Sequence, residues 1–197
     1  SLYNETRGES IYPTPVVGMA GILDDIKDSC TMSFKDRGDL VFLLGSDTGN
    51  GLGGSEYLEL VHGLVKGKPV IDLNLEKRLQ RCCLEAIRRG LVKSAHDCSE
   101  GGLAVTIAES CLTGNIGFRS EKWRIKGRLD SALFGEHQPR VVVSISPNSA
   151  AELNKIAKMW DVPLTRIGKV GGSGLTVKGY INLSLAEMEK DWQSLVP

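Results

Sequence analysis

Apolar positions along the chain switch between period two and a period near 3.6, and the switches predict where strands give way to helices. Residues 1–15 are polar and contain Gly8, Pro13 and Pro15, so they read as an extended or looped entry. Val16-Val17-Gly18-Met19-Ala20-Gly21-Ile22-Leu23 reads as a strand with glycines at close approaches, Asp24 to Lys27 as a turn, and Cys30 to Phe34 as a short strand or edge. Leu40-Val41-Phe42-Leu43-Leu44-Gly45 is an unbroken apolar run, as in a central strand buried on both faces. Beyond a glycine-rich loop, Tyr57, Leu58, Val61 and Leu64 make the apolar stripe of a helix opening at Gly54 or Ser55 and running to about Val65. Leu79, Cys82, Cys83, Ala86 and Ile87 mark a second helix over Leu75 to Arg89, capped by Asn74 and stopped by Gly90.

The second half continues the mixture. Lys93 to Cys98 is a strand, followed by a helix that starts near Ser99 or Glu100, ends near Gly114, and buries Leu103, Ile107 and Cys111 beside Ala104 and Ala108. Asn115 to Ser120 predicts a strand, Trp123 to Ile125 a packing segment, and Leu129 to Phe134 a short helical turn. Val141 to Ser146 is β-branched and strand-like. Asn148 caps a helix through Trp160 with Leu153, Ile156, Ala157 and Trp160 inward. Leu164 to Val170, Leu175 to Lys178 and Tyr180 to Leu183 are strands around the Gly171 to Gly174 turn, and Ser184 caps a terminal helix through Trp192. This irregular alternation, strand-rich at its end, predicts an α/β (α+β) fold: a mixed β-sheet with packed helices, not a doubly wound parallel sheet.

Charge and cysteine usage narrow the classes. Lys plus Arg and Asp plus Glu number 24 each, so no net field argues for nucleic acid or an anionic membrane, and the basic clusters read as solvated faces. No apolar run approaches a membrane span and no signal-peptide pattern opens the chain. Five cysteines without C-x-x-C or metal-ligand spacing fit a reducing, cytoplasmic setting, and the adjacent Cys82-Cys83 read as small core residues. The first residue is Ser1, not Met, which is the expectation for a fragment of a larger protein.

Two loops carry candidate chemistry. Ser94-Ala95-His96-Asp97-Cys98-Ser99-Glu100-Gly101-Gly102-Leu103 runs from a strand through a polar turn into a helix. Asp97 followed by Glu100 has the spacing of a capping box, with Ser99 as the rival cap. Gly101 and Gly102 either let an anion approach the helix N-terminus or allow close helix–sheet packing. His96 either faces that anion or is a satisfied, half-buried histidine. In Ser46-Asp47-Thr48-Gly49-Asn50-Gly51-Leu52-Gly53-Gly54-Ser55, four glycines can present N–H groups to a phosphate, or simply supply positive φ. The loop lacks the Lys-Ser/Thr ending of a P-loop and the order of a dinucleotide motif.

Taken in order, Ser1-Leu2-Tyr3-Asn4-Glu5-Thr6, Tyr12-Pro13-Thr14-Pro15-Val16-Val17-Gly18-Met19, Gly51-Leu52-Gly53-Gly54-Ser55-Glu56-Tyr57, Ala95-His96-Asp97-Cys98-Ser99-Glu100-Gly101-Gly102, and Leu133-Phe134-Gly135-Glu136 with Arg140 closely resemble the C-terminal part of the phosphoribosylformylglycinamidine synthases. These belong to the aminoimidazole ribonucleotide synthetase-like superfamily, built of alternating A and B domains. The resemblance implies that residues 1–30 are the tail of a preceding A domain with its linker, and that residues 31–197 are a C-terminal B domain. It implies an ATP-dependent carbon–nitrogen ligase, which converts formylglycinamide ribonucleotide to the amidine with ATP, magnesium and ammonia. The ammonia comes from a glutaminase subunit, with a small accessory subunit as a further partner.

The same resemblance places the catalytic histidines and most magnesium ligands in earlier domains. No catalytic residue and no metal ligand is therefore expected here, and the isolated chain is expected to be inactive. Ser1 matches the last residue of a Gly-Asn-Val-Ser substrate-binding segment. His96, Asp97, Gly101 and Gly102 are expected to flank ligand as a wall. A Glu-Ser-Gln segment of the companion half touches substrate. Here the matching Glu136-His137-Gln138 departs at His137, leaving it structural or part of an auxiliary nucleotide site. The alternatives are a non-catalytic module that binds a phosphate-bearing ligand or pairs with a partner, and another superfamily enzyme such as aminoimidazole ribonucleotide or selenophosphate synthetase.

Overall fold

The computed structural model describes residues 5–6, 8–10, 16–47, 51–121, 123, 125 and 127–195. A two-residue hairpin, β1 (Glu5–Thr6) with β2 (Glu9–Ser10), precedes the main body. The body is a seven-stranded sheet of β3 (Leu40–Gly45), β4 (Val92–Asp97), β5 (Phe118–Ser120), β6 (Arg140–Ile145), β7 (Leu164–Val170), β8 (Gly174–Val177) and β9 (Ile181–Ser184). Their spatial order is β4-β6-β3-β7-β5-β8-β9, antiparallel throughout except for the parallel pair β5/β8. The mixed sheet expected from the sequence is the one observed.

Strand β3 shows why the apolar run was central. Its side chains alternate between two cores: Val41 and Leu43 enter one, and Leu40, Phe42 and Leu44 the other. The first core lies under α3 (Gly102–Gly114) and α6 (Leu185–Leu195) and includes Leu103, Ile107, Cys111, Phe118 and Met188. Trp123 and Ile125 pack against it, as the sequence suggested. The second lies under α2 (Leu73–Arg88) and α5 (Ala150–Met159) and includes Leu79, Cys82, Ala86, Leu153 and Ile156. Burial pushes the Cys82 thiol up to about 11 and that of Cys83 to about 12, so both stay protonated and act as small apolar fillers. Ser94 and Ser144 satisfy each other across β4 and β6, 2.6 Å apart, where burial would otherwise be costly.

Several elements differ from the sequence reading. Residues 16–23 form no strand; no other segment among the described residues lies alongside to complete a ladder, and Val16, Met19 and Ile22 are at least 95% exposed. Residues 30–34 are not a strand either. Thr31 accepts one bond from the Ala95 N–H at the edge of β4, and Phe34 plugs the first core. Helix α1 (Glu56–His62) begins at the predicted Ser55 cap but stops early, because Gly63 adopts a left-handed conformation and its N–H bonds back to Glu59. Its stripe is not a buried face: Val61 and Leu64 are exposed. Asp72, not Asn74, caps α2, its carboxylate accepting from the N–H groups of Asn74 and Leu75 at 2.9 and 3.0 Å. Asn148 does not cap α5; it lies in a 3-10 turn, Pro147–Ser149, that feeds the helix directly. Asn115 ends α3 with a φ of 48°, which shortens the following strand to Phe118–Ser120.

Candidate functional site

Helix α3 starts two to three residues later than expected. Gly101 stands at its N-cap with φ 71° and offers no side chain, so the Asp97/Glu100 capping box does not form. Asp97 instead accepts a short hydrogen bond from the Ser99 hydroxyl, which holds its carboxyl below the usual range against the opposing effect of burial. The anion expected at this helix start is supplied by the chain. Glu136 Oε1 accepts from the Gly101 N–H at 2.8 Å and from the Glu56 N–H of α1 at 3.0 Å, so one carboxylate joins two helix starts.

A Cβ on Gly102 would lie 2.5 Å from the Gly135 carbonyl oxygen and 2.8 Å from the Phe134 carbonyl carbon, at the end of α4 (Leu129–Phe134). The His96 ring has a carboxylate on each side. Its Nε2 lies 2.8 Å from Glu109 of α3 and its Nδ1 3.5 Å from Asp97. The structure thus joins Gly101 to Glu136, packs Gly102 against the end of α4, and places the His96 ring in a separate contact with α3. Ser1 lies outside the described residues.

The loop before α1 meets the Glu136-His137-Gln138 segment face to face. The Glu136 N–H donates to the Gly51 carbonyl at 2.8 Å, and a Cβ on Gly51 would sit 2.5 Å from both His137 N and Nδ1, so only glycine fits. Gln138 donates to the Cys98 carbonyl at 3.0 Å and is followed by a cis bond to Pro139. Arg140, 2% exposed, turns its guanidinium back onto the carbonyls of His137 and Gly135. Gly51, Gly53, Lys68, Glu136, His137 and Gln138 line a cavity of about 270 Å³. Burial first and the Arg140 charge second push His137 down to about 4, partly opposed by the Ser46 backbone, so its imidazole is neutral at pH 7. Both of its ring nitrogens are buried without a hydrogen bond among the described residues.

The described residues offer no clustered ligand set for a metal ion on this wall. Among the described residues no three His, Cys, Asp or Glu side chains come together, and Glu136, the carboxylate on the cavity, is already engaged by two N–H groups. Sequence reasoning missed the bridging role of Glu136. Its signal was an acid in a loop, within a chain whose helix α3 begins with two glycines and no capping side chain.

Fold and site define the class: the chain belongs to the family described as AIR synthase related protein, C-terminal domain, whose model matches residues 36–179. Over 196 residues it is 46% identical to the phosphoribosylformylglycinamidine synthase subunit PurL of Thermomicrobium roseum, an alignment covering 98% of this chain and 26% of that protein. The chain spans about a quarter of the length of the curated relatives it matches. Its fold is shared with Thermotoga maritima PurL. The TM-score is 0.70 to the chain complexed with FGAR (21% identity, covering 83% of this chain and 30% of that one). It is 0.67 to the chain complexed with ATP (20% identity, covering 83% and 27%).

Proposed function

We propose that this chain is the C-terminal B domain of an ATP-dependent carbon–nitrogen ligase that makes formylglycinamidine ribonucleotide from formylglycinamide ribonucleotide. It works with the protein's preceding domains, a glutaminase subunit and a small accessory subunit, in the cytoplasm. The observation that carries this reading is the 46% identity to a PurL subunit over nearly the whole chain. The complexes of a fold relative with FGAR and ATP support those two as substrates. On this reading magnesium and the reacting phosphates are held by the remaining domains, and no residue here is catalytic. His96 and Asp97 stiffen the start of α3, Gly101 and Gly102 keep it close to α4, and Ser1 donates to substrate.

The role of this domain is to present a preformed wall. Glu136 locks the Gly51 loop, α1 and α3 into one body, and neutral His137 gives the cavity uncharged donor and acceptor nitrogens. Docking of the preceding domains is supported by apolar side chains left in water: Val16, Val17, Met19, Ile22 and Leu23 in the linker, and Leu60, Val65, Val70 and Leu73 around α1. A domain boundary near residue 30 is supported by the contrast between that exposed linker and Phe34, 2% exposed.

The test is turnover. The purified 197-residue chain, given formylglycinamide ribonucleotide, ATP, magnesium and ammonia, releases no ADP. A full-length protein containing it does, and forms the amidine. ADP release coupled to amidine by the chain alone would overturn the fragment reading, and its failure in the full-length protein would overturn the reaction.

A further inference from the structure

The two faces of the sheet are not equally covered. No residue of β5, β8 or β9 belongs to the core under α2 and α5, so on that side these strands present polar side chains. At their end lies a second cavity, about 430 Å³, lined by the Gly171 to Gly174 turn and by side chains from β5, β9 and α6.

Two guanidiniums converge on the turn. Arg37 Nη1 donates to the Gly172 carbonyl at 3.3 Å, and Arg119 Nη2 lies 3.9 Å from where a Gly172 Cβ would be. Neither meets a carboxylate among the described residues. Glu121, just past the end of β5, is already shared by Arg166 at 2.9 Å and Lys169 at 3.5 Å. Gly171 and Gly172 have φ of 147° and 89°, and among the described residues the N–H groups of Gly172 and Ser173 donate to no acceptor. Free successive N–H groups beside two cations make a concavity for an anion, and guanidinium suits phosphate oxygens in pairs.

The rest of the lining fixes the ligand's other end. Thr176, Asn182 and Ser184 offer hydroxyl and amide groups, and Glu187 is turned aside by the Ser184 N–H and O–H at 2.8 and 2.7 Å. The one aromatic side chain of the lining, Phe118, is buried in the core beneath, so no ring is free to stack on a base. We propose that this cavity binds a small phosphorylated polyol. Its phosphate lies against Arg37, Arg119 and the Gly172 and Ser173 N–H groups, and its hydroxyls face Thr176, Asn182 and Ser184.

The experiment is an amide and arginine side-chain NMR titration of the 197-residue chain with ribose 5-phosphate, inorganic phosphate and ribose. Ribose 5-phosphate is expected to give saturable shifts at Gly171 to Gly174 and at Arg119, with affinity about tenfold above inorganic phosphate, and ribose none. Arg119→Gln and Arg37→Gln, both at exposed positions, each weaken binding about tenfold with unchanged melting temperature, whereas Lys155→Gln on α5 leaves it unchanged. Absence of shifts at the turn, shifts centred instead on Glu136 to Gln138, or an equal loss in Lys155→Gln would each overturn the proposal. Equal affinity for inorganic phosphate and ribose 5-phosphate would overturn the polyol assignment.

Discussion

The glycine turns at 101–102 and 171–174 use the same backbone device and end in opposite states. Both hold glycines at positive φ. At the first, Glu136 occupies the anion position and ties it to a second helix start, so the turn is closed, and Gly102 is wedged against Gly135 and Phe134. At the second, two arginines stand beside the turn, the acid of the lining, Glu187, is held by Ser184, and a Gly172 side chain would have ordinary room. A glycine pair before a helix therefore does not by itself mark a ligand site; what matters is whether the fold brings its own carboxylate.

The largest expected effect breaks the closed turn. Gly102→Ala puts a methyl group 2.5 Å from a carbonyl oxygen at φ 66°, and should lower unfolding free energy by about 3 kcal/mol in urea denaturation. Next comes Glu136→Ala, which strips both helix starts of their acceptor. A loss of about 2 kcal/mol is expected, with Glu136→Gln recovering roughly half, because an amide oxygen still accepts but carries no charge.

The pH dependence of the closed site follows from His137. The folded protein keeps it neutral down to about pH 4, while the unfolded chain takes up that proton near pH 6.5. Its contribution is whole above pH 6.5 and is lost as pH falls towards 4. Discounted for partial exposure, this amounts to about 1–2 kcal/mol. Urea midpoints measured from pH 7 to 4 should fall in that window, and His137→Gln should flatten the slope there. Asp97, whose carboxyl is held low, adds its own loss only at still more acidic pH. The smallest effect belongs to the open turn. Gly172→Ala meets no wall and should cost about 1 kcal/mol, the strain of its φ of 89° alone. A cost matching that of Gly102→Ala would erase the contrast between the two turns.

How much was legible in the sequence follows the same division. Strand β3, strand β6 and the inner faces of α2 and α3 were readable because each is decided by local period and by burial within this chain. The Val16 to Leu23 reading failed because a strand is completed by its neighbour, and no neighbouring strand for those residues lies among the described ones. The caps failed by small shifts, Asp72 for Asn74, where two polar residues of similar propensity compete. The site was half legible. The glycines and the Glu136-His137-Gln138 departure were visible. That Glu136 reaches Gly101 from 35 positions away is set by the packing of α4 on α3, which no local pattern encodes.

Strand β3 has a consequence for how the protein comes into being. Its partner β6 lies about a hundred residues later in the chain, and β7 later still. A ribosome adding about 5–20 residues per second leaves Leu-Val-Phe-Leu-Leu without either neighbour for roughly 5–20 s. An unpaired apolar strand of that composition is an aggregation hazard during that interval. The charged residues just ahead of it, Asp36, Arg37 and Asp39, with Asp47 just behind, are placed as gatekeepers that discourage pairing with another nascent chain before the proper partner arrives.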